Sequence, residues 1–128
     1  MCEPRLCRVT ALLASAPGLP RGDTACGVEL ELCLNSASQP APRASGTDLP
    51  WSARRFWKDR PDWHGYLVPM DGDRWAMRGS DDPDGPLWEL QVRLFRPGEY
   101  LMLRRPNGDE LSFRIVSVQA VQDYPYVV

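Results

Sequence analysis

Residues 99–118, Glu-Tyr-Leu-Met-Leu-Arg-Arg-Pro-Asn-Gly-Asp-Glu-Leu-Ser-Phe-Arg-Ile-Val-Ser-Val, constrain this chain more than any other stretch. Two runs of alternating apolar residues flank Pro106-Asn107-Gly108, the pattern of a β-hairpin. Two registers compete. A two-residue Asn-Gly turn would set Arg105 opposite Glu110 and gather Tyr100, Met102, Arg104, Leu111, Phe113 and Ile115 on one face. A three-residue loop closed by a glycine bulge shifts the pairing by one residue. Leu103 then faces Leu111, Leu101 faces Phe113, Arg104 meets Glu110, and Tyr100 lies near Arg114. The second register separates apolar from charged side chains and is the one expected. Pro106 suits the first turn position, where φ is about −60°, and Gly108 takes the left-handed conformation. A lone hairpin is marginal in water, so a larger sheet must surround it.

The rest of the chain supplies that sheet. Arg8 to Ala14 reads as a first strand, ended by Pro17-Gly18-Leu19-Pro20, and Arg21-Gly22-Asp23 reads as a turn. Gly27 to Asn35 alternates cleanly, with Val28, Leu30, Leu32 and Leu34 on one face and Glu29, Glu31 and Cys33 on the other, so one face is buried and one wet. Residues 37–50 form a long loop, rich in Ala, Ser, Pro and Gly and expected to be flexible. Pro50 to Asp59 is expected to hold one or two helical turns, capped by Asp48, with Pro61 disfavouring helix at Arg60. Gly65 to Met70 and Arg74 to Arg78 predict a second hairpin around Asp71-Gly72-Asp73. Leu87 to Phe95 predicts a strand with Trp88, Leu90, Val92 and Leu94 on one face. Asp123 to Val128 is a short apolar tail that calls for a partner or a groove. The expected fold is all-β: one domain over residues 1–128, a small antiparallel barrel or sandwich of about seven short strands with at most one short helix. Thirteen Pro and ten Gly agree with many turns.

Length and charge narrow the class. A chain of 128 residues can bury a core without staples. Its formal net charge of −2 gives no global steering toward nucleic acid or anionic lipid. Arginine outnumbers lysine, with Lys58 the one lysine, a bias of bacterial type that GC-rich coding produces. Cys2, Cys7, Cys26 and Cys33 lie near the N-terminus at spacings unlike a zinc knuckle, and they are read as unpaired structural thiols. Arg5, Arg8, Val9–Leu13 and Ala14-Ser15-Ala16 have the outline of a leader, but the apolar run is too short and Glu3 and Pro4 are misplaced. No stretch reaches the length of a membrane span. A mature cytoplasmic protein is expected, with no membrane partner.

The candidate binding segment is Trp51–Tyr66, where Trp51, Trp57, Trp63 and Tyr66 interleave with Arg54, Arg55 and Arg60, beside His64. Such a segment can plug a barrel end while its arginines fan into water. It can equally anchor a protein interface, where Trp, Tyr and Arg dominate the energetics, or stack on single-stranded nucleic acid or a small ligand. Acidic net charge argues against nucleic acid. His64 is the one histidine, and no Gly-x-Ser-x-Gly elbow accompanies it. Asp71, Asp73, Asp81, Asp82 and Asp84 lack the order of a calcium loop and read as solvated turns.

Phe95-Arg-Pro-Gly-Glu-Tyr-Leu-Met-Leu103 resembles the Phe-x-x-Gly-Gln-Tyr strand of the flavin-binding barrel in ferredoxin-reductase-like enzymes. The resemblance implies a flavin site and an enzyme-associated role. Where that family's Arg-x-Tyr-Ser motif would follow, this chain has Leu111-Ser-Phe-Arg114 and the offset Arg114-Ile-Val-Ser117, without the aromatic. A nicotinamide-binding domain like that family's is not expected from these residues. The residues themselves therefore predict a non-enzymatic interaction module with no cofactor and no metal, whose partner is another protein or a second copy of itself, with a small-ligand, flavin-binding or single-stranded nucleic-acid-binding barrel as the alternative.

Overall fold

A computed structural model describes residues 5–41, 51–70, 74–81 and 84–121. Eight antiparallel strands run in chain order and close into a barrel: β1 (Arg5–Ser15), β2 (Asp23–Leu34), β3 (Trp51–Trp57), β4 (Arg60–Pro69), β5 (Arg74–Gly79), β6 (Trp88–Gln91), β7 (Tyr100–Arg104) and β8 (Glu110–Ala120). Closure comes from β8 pairing with β1, so that each of the described strands has a neighbour on both sides. Successive connections therefore alternate between the two ends. The β1–β2, β3–β4, β5–β6 and β7–β8 connections share one end, called here the hairpin end.

The β7–β8 pairing matches the bulged register. Leu103 pairs with Leu111, Leu101 with Phe113, Arg104 with Glu110, and Tyr100 with Arg114. Gly108 N–H donates to the Arg105 carbonyl at 2.9 Å, and Gly108 sits at φ 95°, where L side chains are strained. Asp109 N–H is held by Asn107 Oδ1 at 2.9 Å. Turn chemistry and face segregation thus select the same register.

Alternation fills the interior. Val9, Ala11, Val28, Leu30, Leu32, Leu67, Met77, Leu90, Leu101, Leu103, Leu111, Phe113 and Ile115 are all buried. Phe95 closes the opposite end, tied there by its N–H donating to the Ser38 carbonyl at 2.9 Å. An eight-stranded barrel is about wide enough for its own side chains, and here those side chains occupy it. The outer wall carries ion pairs between neighbouring strands: Arg8–Glu31 at 2.7 Å, Arg74–Glu89 at 3.1 Å and Arg104–Glu110 at 2.8 Å.

Three expectations need correction. The helix expected over Pro50–Asp59 is strand β3, paired on one side with β2 and on the other with β4. Two ladders of backbone hydrogen bonds, plus inward burial of Trp51 and Ala53, outweigh the local helical signals; Asp48 and Pro50 lie outside the described residues. That conversion supplies the eighth strand. The strand expected over Leu87–Phe95 stops at Gln91, because Val92 and Phe95 turn inward instead of continuing the ladder. Cys33 is not on a wet face; it is fully buried, since the chain after β2 folds back, with Ala41 N–H donating to the Cys33 carbonyl at 3.0 Å. The same return lays residues 37–41 as a strap, with Asn35 Oδ1 accepting from the Ala37 and Gln39 N–H groups. Residues 42–50, the Asp71-Gly72-Asp73 turn and the Asp123–Val128 tail lie outside the described residues. Cys7 and Cys26 carry free thiols, and burial pushes the Cys7 thiol up, partly offset by Arg5.

Candidate functional site

Period-two alternation splits the Trp51–Tyr66 segment into three groups. On β3, Trp51, Ala53 and Arg55 share the inward parity while Ser52 and Arg54 face out. Trp51 lies 2% exposed inside the barrel, its ring 5.3 Å from that of Trp75. It belongs to the core. Arg54, His64 and Tyr66 stand on the outer wall. Arg54 donates to Asp62 Oδ2 at 2.7 Å, pairs with Glu29 at 3.5 Å and covers the Phe56 ring at 5.0 Å. These contacts saturate it, and Asp62 first, then Glu29, raise its pKa. Tyr66 is 40% exposed, and His64 is exposed with its carbonyl accepting from Ser80 N–H at 3.0 Å.

The third group forms the mouth of the barrel at the hairpin end. Arg55 is the first charged side chain above the buried layers of β3. Its guanidinium lies 4.0 Å from the centre of the Trp88 ring and 5.5 Å from that of Trp63. Arg105, the inward-parity residue after Leu101 and Leu103, approaches the same Trp88 ring at 5.7 Å. Trp57 and Arg60 complete the rim, helped by an irregularity between Arg55 and Trp57 that re-aims the strand end. Together Arg55, Trp57, Arg60, Pro61, Trp88 and Arg105 line a cavity of about 230 Å³. A second depression of about 340 Å³ shares Trp88 and extends to Trp63, Pro86 and Pro106.

Gly65 makes room for this stack. A Cβ there would collide with the Arg78 carbonyl oxygen and stand 2.5 Å from the Trp63 ring. The ring therefore lies across a glycine, and it presents its face to Arg55.

The mouth is electrostatically unfinished. Arg55 Nη1 and Arg105 Nε are buried without a hydrogen-bond partner. Arg78 Nε is likewise orphaned, but it lies on the outward parity of β5, opposite Tyr66. Burial lowers the Arg55 pKa, and the Arg105 and Arg60 charges lower it further. Among the described residues no carboxylate pairs with Arg55. Asp109 stands 3.8 Å from Arg105, at the outer limit of an ion pair. The adjacent Lys58 is by contrast satisfied, 2.6 Å from Asp23.

Of the residues singled out in the sequence, Arg55, Trp57, Arg60 and Trp63 converge at the mouth, Trp51 goes inside, and Arg54, His64 and Tyr66 go outside. Trp88 and Arg105 are the additions. Both carry a signal visible in the sequence: each continues the inward parity of a buried run, Trp88 before Leu90 and Arg105 after Leu103. A charged or amphipathic residue at such a position marks the barrel mouth. In the Phe95–Leu103 stretch, Leu101 and Leu103 point into the filled interior and Tyr100 points to solvent. Comparison with known proteins finds no matching family model, no matching curated protein and no matching solved structure.

Proposed function

We propose that this protein is a non-enzymatic binding module that takes an acidic segment of a protein partner onto its hairpin-end mouth. The observation that carries the reading is the Arg55 guanidinium, packed between Trp88 and Trp63 beside a second arginine, with Nη1 buried and unpartnered. A buried charged donor left unpaired costs about 1–3 kcal/mol or more. An acidic side chain of a partner would remove that cost. Arg and Trp are also the side chains that carry most interface energy. The mouth is built on strand ends, so its geometry is preorganised and little ordering entropy opposes binding. The ion-paired outer wall supports an aqueous setting, since a lipid-facing barrel needs an apolar band, and a cytoplasmic location belongs to the same proposal.

Selection of a random peptide library on the immobilised protein tests this. Enriched peptides are expected to carry Asp or Glu, and the double variant Arg55→Gln/Arg105→Gln is expected not to enrich them. Enrichment that ignores acidic residues, or that survives the double variant, refutes the reading. A second copy of the chain as partner would instead show as a dimer in sedimentation that the double variant dissociates.

A further inference from the structure

The two orphaned donors at the mouth point to more than general acidity. Arg55 Nη1 lies on β3 and Arg105 Nε on the residue just after β7, in different guanidinium groups, yet both guanidiniums lie over one ring, at 4.0 and 5.7 Å from the Trp88 centre. Two N–H donors from two guanidiniums beside one ring can each take one oxygen of a single anion. A guanidinium N–H to a carboxylate oxygen is a charge-assisted bond, among the stronger hydrogen bonds. The charge balance agrees. Arg105 is partly offset by Asp109 at 3.8 Å, whereas Arg55 has no acidic partner among the described residues. Among the described residues, Arg55 is thus the stacked arginine left without a counter-charge, and Arg60 adds a further positive charge at the rim. The rest of the same 230 Å³ cavity is Trp57, Pro61 and the flank of Trp88, with Arg60 at its rim. Those apolar surfaces adjoin the donors, so the cavity has room for a flat or compact apolar group beside the anion.

We infer that the mouth is a site for a monocarboxylate attached to a small aromatic or apolar group, with Arg55 and Arg105 holding the two oxygens and Trp57, Pro61 and Trp88 holding the adjoining group. The inference rests on the mouth being the recognition surface and adds the chemistry of what it recognises. A free arylacetic acid and a glutamate flanked by an aromatic residue in a partner both present this chemistry.

Titration of the intact protein with phenylacetate, followed by calorimetry and by the Trp88 indole N–H resonance (assigned with Trp88→Phe), tests the inference. Phenylacetamide and inorganic phosphate serve as the uncharged and tetrahedral comparisons, and the peptide acetyl-Gly-Glu-Trp-Gly-amide as the second source. Phenylacetate is expected to shift the Trp88 resonance and to bind about tenfold or more tightly than phenylacetamide, since a hydrogen bond to a charged group is at stake. Arg55→Gln is expected to remove that preference while the protein stays folded. Tighter binding of the peptide than of phenylacetate assigns the carboxylate to a protein partner; the reverse order assigns it to a free acid. Equal binding of phenylacetate and phenylacetamide overturns the inference, as does stronger binding of phosphate, or a preference that survives Arg55→Gln. Acidic peptides recovered from the library in an arginine-dependent way, with no response to either carboxylate probe, would overturn this inference and leave the broader reading standing. A response to phenylacetate with no acidic peptides recovered would do the opposite.

Discussion

Replacing Arg55 with methionine should make this protein more stable. The guanidinium is held away from water by Trp63 and Trp88, yet Nη1 has no partner and the neighbouring charges are Arg105 and Arg60. An orphaned charged donor costs about 1–3 kcal/mol. The two cation–π contacts return about 0.5–1 kcal/mol each in a partly exposed setting. Methionine is long and unbranched enough to fill the same slot, and its sulfur gains about 0.3–1.5 kcal/mol against the rings. The net expectation is a gain of about 1 kcal/mol, the sign also seen when buried ions give way to packed apolar side chains. For a chain of this length that corresponds to about 3–5 °C in melting temperature. Thermal unfolding followed by near-ultraviolet circular dichroism, which reports the tryptophan environments, measures it. Phenylacetate added to the wild type should raise its melting temperature and leave Arg55→Met unmoved, by mass action. A melting temperature for Arg55→Met several degrees below the wild type would refute the reasoning, because the guanidinium would then be a net stabiliser and its lack of a partner would carry no meaning.

Other perturbations follow from the same packing. Trp51→Ala should cost about 3–5 kcal/mol in denaturant unfolding, since a nearly fully buried ring packed at a tilt against Trp75 is removed; a cost under about 1 kcal/mol would place Trp51 outside the core. Gly65→Ala should cost about 1–3 kcal/mol through overpacking against the Arg78 carbonyl and the Trp63 ring, and Trp63→Leu in the same background should recover part of it. Gly108→Ala should cost about 1 kcal/mol although its Cβ would meet nothing, because the penalty at φ 95° lies in the backbone. The Asp23 carboxyl is held below the ordinary carboxylate range by Lys58 first and the Ala25 N–H second. Its contribution is therefore complete above the unfolded-state value of about 3.9 and is lost as pH falls through the folded-state value. Asp23→Asn should melt below the wild type at neutral pH, and the two curves should converge in acid; parallel curves down to the acid limit would contradict this assignment.

Local pattern and turn chemistry in the sequence already determined the β7–β8 register, the buried face of β2 from Val28 to Leu34, the β4–β5 pairing and the all-β class. Each depends on residues a few positions apart, where side chains alternate every second residue and Gly108 has a conformation other residues resist. Only the tertiary structure decided that Pro50–Asp59 contributes a strand, because β2 and β4 supply hydrogen-bond partners on both sides that no short window reveals. Cys33 was buried for a similar reason, by a strap that returns over it. The mouth was decided last of all. Arg55 on β3, Trp88 on β6 and Arg105 just after β7 are separated along the chain, and they meet because the barrel brings the ends of β3, β6 and β7 to one rim. Inward parity could be read from the sequence, but which inward residues share a level depends on register and strand tilt around the whole ring.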